Sequence, residues 1–174
     1  MTRVTFYLLN SQRQNEQQFA CRLVDKAWRG GLPMHIHTTD ENSCKSMDQL
    51  LWSWREDSFL PHGIISETQG GAPESLLLAK QSPITLGFDN PVLRSKQLLI
   101  NLDQDVPPFF KDFSRVCEVV VQNPSQKVVS RAKFRAYRQV GIEPEVHNMA
   151  ASSRQKIHLM SQESLTSSNM SRLW

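Results

Sequence analysis

The segment VCEVVVQNPSQKVVSRAKFRAYRQVG, residues 116–141, contains the two kinds of element that decide the fold. Val116–Val121 is an apolar run of β-forming residues, which is typical of a strand buried on both faces. Asn123 and Pro124 then suit the N-cap and the first position of a helix, and Gly141 suits the position past its end. A buried strand that leads directly into a helix predicts one unit of a parallel α/β sheet.

The same alternation of strand and helix signals runs through the preceding chain. Apolar runs predict strands at residues 4–9, 33–37, 83–88 and 97–102. Helical periods predict helices at residues 15–29 and 44–54. The segment PPFFKDF, residues 107–113, predicts a short helix or turn. Residues 55–81 show no clear period. The pattern predicts a single Rossmann-like α/β domain, residues 1–143, with a mostly parallel sheet flanked by helices on both faces. Residues 144–174, rich in Ser, Gln and Asn, predict a flexible tail.

Size and composition limit the classes of protein to consider. A chain of 174 residues is long enough for one self-supporting core, and a net charge of +3 does not by itself indicate a nucleic-acid-binding protein. The sequence has no run of eighteen apolar residues, so we expect no transmembrane helix and no membrane partner. Cys21, Cys44 and Cys117 lack redox or metal-ligand spacing, which favours free thiols in the cytoplasm.

The connection after the first predicted strand argues against a nucleotide site. It reads NSQRQN, residues 10–15, and contains no glycine. Both the dinucleotide fingerprint and the P-loop need glycines there, because the backbone must approach a phosphate closely. We therefore expect the fold without a nucleotide site and without a cofactor.

Three histidines support an alternative hypothesis, in which the protein is a metal- or nucleotide-dependent hydrolase. His35 and His37 lie two apart on a predicted strand, so both side chains project from one face, where Asp40 or Glu41 would complete a zinc site. His62 follows a proline in a loop and would serve as a general base. A histidine pair without further spaced ligands is more often structural, and no nucleophile motif accompanies His62.

The helix in the opening segment carries an unusual concentration of positive charge. At 100° per residue, one side collects Lys127, Arg131, Phe134, Arg135 and Arg138. The opposite side collects small apolar residues, which we expect to pack on the sheet: Val129, Ala132, Ala136 and Val140. A solvated helix usually interleaves acids for i,i+4 pairs, and this helix has none. A solvated face, a direct single-stranded-DNA-binding module and a socket for an acidic peptide with a hydrophobic end all remain open.

A second unusual stretch is LLWSWREDSFLPHG, residues 50–63. Trp52 lies away from the helix face that Met47, Leu50 and Leu51 share, and Phe59 follows in a loop. An exposed apolar patch of this kind marks a partner interface. The alternative is that the loop folds back and buries both aromatic rings.

Several of these motifs together resemble one known family. VTFYLL, LWSWREDSFLPH, GGAP followed by PITLGF, LLINL and RAKFRAYRQVG occur in the order seen in the chi subunit of bacterial DNA polymerase III holoenzyme. The resemblance covers residues 1–143 and excludes GFDNPVLRSK and the tail. It implies a non-catalytic adaptor of DNA replication that links the clamp-loader complex, through the psi subunit, to single-stranded DNA-binding protein, and contacts DNA only indirectly.

The resemblance also assigns residues to the two partners. The acidic C-terminal tail of single-stranded DNA-binding protein, which ends in phenylalanine, would be bound by these positions: Val120, Arg131, Phe134 and Arg135, with Lys127 and Arg138 as neighbours. Phe134 stands where the family has a tyrosine, and Arg135 stands where it has a lysine. Psi, or a repair helicase that uses the same surface, would contact a second group: Trp52, Phe59, Pro61 and His62.

Overall fold

The computed structural model describes residues 1–10, 15–66, 73–89, 93 and 96–149. Its elements in chain order are β1 (Arg3–Leu9), α1 (Glu16–Arg29), β2 (Met34–His37), α2 (Glu41–Trp52), β3 (His62–Ile64), α3 (Pro73–Gln81), β4 (Ile84–Gly87), β5 (Leu98–Asn101), a 3-10 turn (Phe110–Asp112), β6 (Arg115–Val121), α4 (Pro124–Gln139) and β7 (Glu145–Asn148).

The seven strands form one sheet in the order β3-β4-β2-β5-β6-β1-β7, and every pairing between them is parallel. The prediction of an α/β fold with a parallel sheet is confirmed. Parallel strands need crossovers between them, and helices α1 to α4 supply several of these. As a result the strands β1, β2, β4 and β5 are buried along almost their whole length.

Each face of the sheet carries its own apolar core. Tyr7 and Leu9 of β1 point to the face covered by α1 and α2, where Phe19 and Met47 pack. Their neighbours in β1 point to the opposite face, where the residues in contact come from α3, the 3-10 turn and α4: Leu76, Phe110, Phe134 and Tyr137. The alternation along one strand therefore builds a three-layer domain.

Local capping confirms the predicted ends of α4. The Asn123 side chain accepts a hydrogen bond from the Gln126 amide at 2.8 Å, and Pro124 occupies the first turn. Gly141 follows with a φ of 85°, a left-handed conformation that glycine adopts at little cost. The capping signals in the sequence thus fix where α4 begins and ends.

Three elements were not predicted. Two of them, β3 and α3, lie in residues 55–81, and β7 lies in the predicted tail. Strand β7 pairs with β1 from Thr5 opposite Glu145 to Leu8 opposite Asn148, and it buries Val146. The sheet therefore continues through Asn148, beyond the predicted domain boundary at residue 143. The prediction of a flexible tail falls mostly on residues 150–174, which lie outside the described residues.

Among the helices described, none has the length and apolar character that crossing a membrane requires. The three cysteines are buried free thiols. Burial raises the pKa of Cys21 to about 12, and it raises the pKa of Cys44 and of Cys117 to about 11. All three are held as protonated, unreactive thiols at neutral pH.

Candidate protein-interaction sites

The face of helix α4 that packs against the sheet is not the one predicted from the sequence. The buried positions are Ser130, Lys133, Phe134 and Tyr137. They recur at i, i+3, i+4 and i+7, the spacing of one helix face. The residues predicted to pack on the sheet are instead exposed or half-buried, with Ala132 and Val140 exposed. The prediction was wrong because two aromatic rings bury far more apolar area than alanine and valine side chains do.

Phe134 is the main correction to the predicted site. Only 8% of it is exposed, and its ring packs against Phe6 with the centroids 5.5 Å apart. It therefore does not stand out as an aromatic wall on the helix surface. Val120 is also buried, at the end of β6 beneath α4. Both residues lie beneath the surface of α4, and only a small part of each side chain is accessible to a ligand.

A buried ion pair, missed in the sequence, fixes α4 on the sheet. Glu118 of β6 is fully buried, and its carboxylate lies 2.5 Å from the Lys133 ammonium. The Tyr137 hydroxyl donates to the same carboxylate at 2.6 Å, and the Asn101 amide donates at 3.0 Å. Burial, followed by the charge of Glu118, raises the pKa of Tyr137. The acid inside the VCEVVV run was the available signal, because a lone acid in a buried strand needs a partner.

Lys133 also closes a small polar cavity at the carboxyl ends of the strands. Its ammonium donates to the Asp103 carbonyl at 2.9 Å. The cavity, of about 90 Å³, is lined by side chains that include Glu16, Val120, Gln126 and Ser130. In open parallel sheets this edge is where ligands usually bind. Here the protein's own lysine is one of the residues that line it.

The outward side of α4 keeps the predicted positive charge. Lys127, Arg131, Arg135 and Arg138 are all exposed, and the helix contains no acid. Arg138 is partly neutralised by Glu143, which lies 3.0 Å away just beyond the helix. Because both side chains are exposed, such a pair contributes little stability and gives way to a ligand at small cost.

An exposed valine adds an apolar group to this basic face. Val128 is 67% exposed and lies one turn before Arg131 and Ala132. Residues three and four apart are neighbours on a helix surface. The outward face of α4 therefore offers arginine forks next to an accessible aliphatic side chain, a combination that suits a ligand with both acidic and hydrophobic groups.

The second predicted surface forms at the end of α2 and in the following loop. Trp52 is 56% exposed and Phe59 is 69% exposed, with their ring centroids 5.8 Å apart. Trp52 also packs on His62, with centroids 4.5 Å apart. The alternative in which the loop buries both rings is thus excluded. Pro61 is half-buried beside them, so the structure brings the four predicted residues into one patch.

The loop that carries Phe59 is held in place on both sides of the ring. Arg55 donates to Asp57 at 2.9 and 3.0 Å, and Leu60 is buried in the core. His62 lies 3.1 Å from Asp48 through Nε2 and 2.6 Å from the Leu60 carbonyl through Nδ1. These contacts give His62 a structural role in supporting the patch.

The residues considered for a zinc site serve other contacts. His35 and His37 share one face, as predicted, but both are buried, and burial lowers the pKa of each. His35 lies 2.9 Å from the Thr85 hydroxyl. Asp40 caps α2 by accepting from the Ser43 amide at 2.7 Å, and Glu41 pairs with Lys45 at 2.6 Å. In the described part of the chain, no three histidine, cysteine or acidic residues group as metal ligands.

Comparison with known proteins identifies the family to which these surfaces belong. The family model of the DNA polymerase III chi subunit, HolC, matches residues 1–145. The DNA polymerase III subunit chi of Pseudomonas aeruginosa is 37% identical over 150 residues, covering 86% of this chain and 98% of that protein. The subunit chi of Escherichia coli K12 is 27% identical over 147 residues, covering 81% of this chain and 94% of that protein.

A likeness among solved structures concerns the fold alone. The crystal structure of T4 UvsW superposes with a TM-score of 0.61 at 7% identity, over 86% of this chain and 42% of that one. At so low an identity the shared feature is the layered α/β architecture, and function has to be argued from the surfaces themselves. By the match of its family model and the identity of its relatives over most of the chain, this chain belongs to the DNA polymerase III chi subunit family.

Proposed function

We propose that this protein is a non-catalytic adaptor that connects the clamp loader of the replicative polymerase to DNA coated with single-stranded DNA-binding protein. Membership of the chi subunit family gives the protein a role in DNA replication. The proposal adds two contacts to that role. The outward face of α4 binds the acidic C-terminal tail of single-stranded DNA-binding protein, and the patch of Trp52 and Phe59 binds the psi subunit.

The first contact is proposed from one observation: the outward face of α4 is exposed and basic, and the helix contains no acidic residue. Arg131 and Arg135 lie one turn apart on the helix, so one acidic ligand can contact both guanidinium groups. Carboxylates of an acidic tail would accept hydrogen bonds from both forks, with Lys127 and Arg138 at the ends. Such binding is expected in the micromolar range and to weaken with salt.

The structure changes the proposed role of the apolar residues in this contact. Phe134 and Val120 offer the terminal phenylalanine of the tail only a shallow floor, because both are nearly buried. Val128 is the accessible aliphatic group on the same face. We therefore expect Val128 to be the main apolar contact of the terminal ring.

A matched pair of variants tests the α4 contact. Arg131→Ala removes one guanidinium from the face, while Arg22→Ala removes an exposed guanidinium from α1. A lost charge-assisted hydrogen bond is worth about 1.5–3 kcal/mol, so Arg131→Ala should weaken binding of a fluorescent tail peptide at least tenfold. Arg22→Ala should leave binding unchanged. Equal affinities for both variants would refute the assignment.

The patch of Trp52 and Phe59 supports the second contact. Two large, adjacent, exposed aromatic rings held on an ordered loop are typical of an interface anchor. Phe59→Ala should abolish co-purification with psi after co-expression. Leu78→Ala is a suitable control, since Leu78 of α3 is 68% exposed against 69% for Phe59. Full recovery of psi with Phe59→Ala would remove psi from this surface, and a repair helicase would then be the partner to test there.

Tethering is the mechanism that the two contacts would produce. An adaptor held to the clamp loader by psi makes each encounter with a tail intramolecular, so a weak contact acts at a high effective concentration. Coated DNA near a primer end presents many tails. The α4 contact can therefore be individually weak and still keep the clamp loader close to the primer.

A further inference from the structure

A separate groove opens where the strands β1, β5 and β6 begin. Its volume is about 280 Å³. Its polar lining comprises Arg3, Gln97, Ser114 and Arg115, and its apolar lining comprises Met1, Leu32 and Leu98. The groove shares no residue with the basic face of α4 or with the patch of Trp52 and Phe59. Neither proposed partner contact makes use of it.

Two arginines lie side by side in this groove. Arg3 and Arg115 are register partners on the parallel strands β1 and β6, so their side chains leave the same face of the sheet about 4.8 Å apart at the backbone. Among the described residues, neither arginine forms an ion pair with an acid. Like charges directly opposite each other destabilise a sheet, and a bound anion would offset that cost.

The guanidinium of Arg115 is incompletely satisfied. Its Nε is buried without a hydrogen-bond partner in the described structure. Its Nη2 makes a long contact, 3.5 Å, to the Tyr7 hydroxyl, and the guanidinium also interacts with the Cys117 thiol. A buried donor without an acceptor is costly, and such donors call for an explanation in a native fold. An oxygen of a ligand would reach this Nε only after the Arg115 side chain turned towards the groove.

A third positive group lies close by. Lys26, in the last turn of α1, has its pKa lowered by burial and then by the charge of Arg115. No acidic side chain lines the groove. The arrangement thus combines two guanidinium groups with a nearby ammonium and the half-buried side chain of Leu32.

We propose that this groove binds the phosphate group of a nucleotide, with Arg3 and Arg115 on the phosphate oxygens and the nucleoside against Leu32. A carboxylate has two oxygens and occupies one guanidinium fork, whereas a terminal phosphate has three oxygens and can occupy two. The volume is at the small end of ligand pockets, which span roughly 300–1,000 Å³, so one nucleotide unit is the appropriate size. The phosphate can belong to a free mononucleotide or to the phosphorylated end of a DNA strand.

Calorimetric titration with thymidine 5′-monophosphate, with thymidine as the control, tests this directly. The monophosphate should bind at least tenfold more tightly than thymidine, because the phosphate makes the charge-assisted contacts. Arg3→Ala should weaken binding about tenfold, and the matched control Arg22→Ala should not change it. Arg115→Met should weaken binding at least as much as Arg3→Ala, with thermal unfolding measured alongside to establish that this variant folds.

A pair of oligothymidylates distinguishes the two sources of phosphate. If a 5′-phosphorylated strand binds more tightly than both the unphosphorylated strand and the mononucleotide, the ligand is a DNA end; if the mononucleotide binds as tightly as the phosphorylated strand, it is a free nucleotide. The proposal is wrong if thymidine and its monophosphate bind alike, or if Arg3→Ala behaves as Arg22→Ala does. It is also wrong if an acidic peptide without phosphate displaces the monophosphate at lower concentration than inorganic phosphate does. None of these results depends on the α4 contact, so the two proposals can fail separately.

Discussion

Replacing Glu118 by glutamine should destabilise the fold severely, because this carboxylate is the centre of the buried network under α4. Glu118→Gln keeps the shape of the side chain but removes its charge. The Lys133 ammonium, 6% exposed, would then lose its counter-charge and keep only neutral acceptors such as the Asp103 carbonyl. Breaking a buried ion pair from one side typically costs about 3–5 kcal/mol, because a charge is left buried without compensation.

That cost is a large part of the stability of a domain this size. Native proteins unfold with a free energy of roughly 5–15 kcal/mol, and in chains of this length each kcal/mol lowers Tm by about 2–4 °C. We therefore expect Glu118→Gln to lower Tm by roughly 6–20 °C. Urea denaturation gives the free energy directly, and the slope of the transition shows whether the unfolding reaction itself has changed.

A double-mutant cycle separates the pair from the rest of the network. Lys133→Met alone leaves the Glu118 carboxylate with the Tyr137 and Asn101 donors, and it should also be destabilising. The double variant has no stranded charge, so its loss should be smaller than the sum of the two single losses by more than about 1 kcal/mol. Additive losses, or a loss below about 1 kcal/mol for Glu118→Gln, would refute this explanation of how α4 is held.

Three further predictions concern the other surface and the thiols. Phe59→Ala should change the free energy of unfolding by no more than about 0.5 kcal/mol, whereas the same change at the adjacent buried Leu60 should cost about 2–5 kcal/mol in urea denaturation; equal losses would contradict the exposed position of Phe59. Cys21, Cys44 and Cys117 should resist a thiol reagent at pH 8 until the chain is unfolded, and fast labelling of the native protein would contradict their burial. Because their folded pKa values, about 11 to 12, lie above the ordinary value of 9.0, the folded state binds more protons between these limits. The free energy of unfolding should therefore fall as pH rises through this interval.

Strands buried on both faces and well-capped helices could be predicted from the sequence. The β1 run VTFYLL and the Asn123–Pro124 start of α4 carry their own signals, because continuous apolar residues and capping side chains act locally. The missed elements lack such signals. In β7 only Val146 is buried, and in α3 three consecutive leucines give no helical period. Gly63 of β3 is explained only by packing, since a Cβ there would lie 3.0 Å from the Cα of Ala79.

The error in the orientation of α4 has a tertiary cause. A helical wheel of residues 124–139 allows two apolar faces, one of small residues and one that contains Phe134 and Tyr137. The larger apolar area of the two aromatic rings favours the second face, and Glu118 of the neighbouring strand adds to this preference by pairing with Lys133 and Tyr137. The same rotation leaves Arg131 and Arg135 exposed and removes Phe134 from the surface. The exposure of these basic residues could therefore be predicted from the sequence, whereas the burial of Phe134 could not.

The central claim, that the outward face of α4 binds an acidic tail, is tested most directly by titrating the protein with a synthetic acidic peptide that ends in Asp-Phe. We predict a saturable, micromolar affinity that falls as the salt concentration rises, and a loss of at least tenfold when the terminal phenylalanine is omitted. Equal affinity with and without that phenylalanine would contradict the account, as would the absence of saturable binding at low salt.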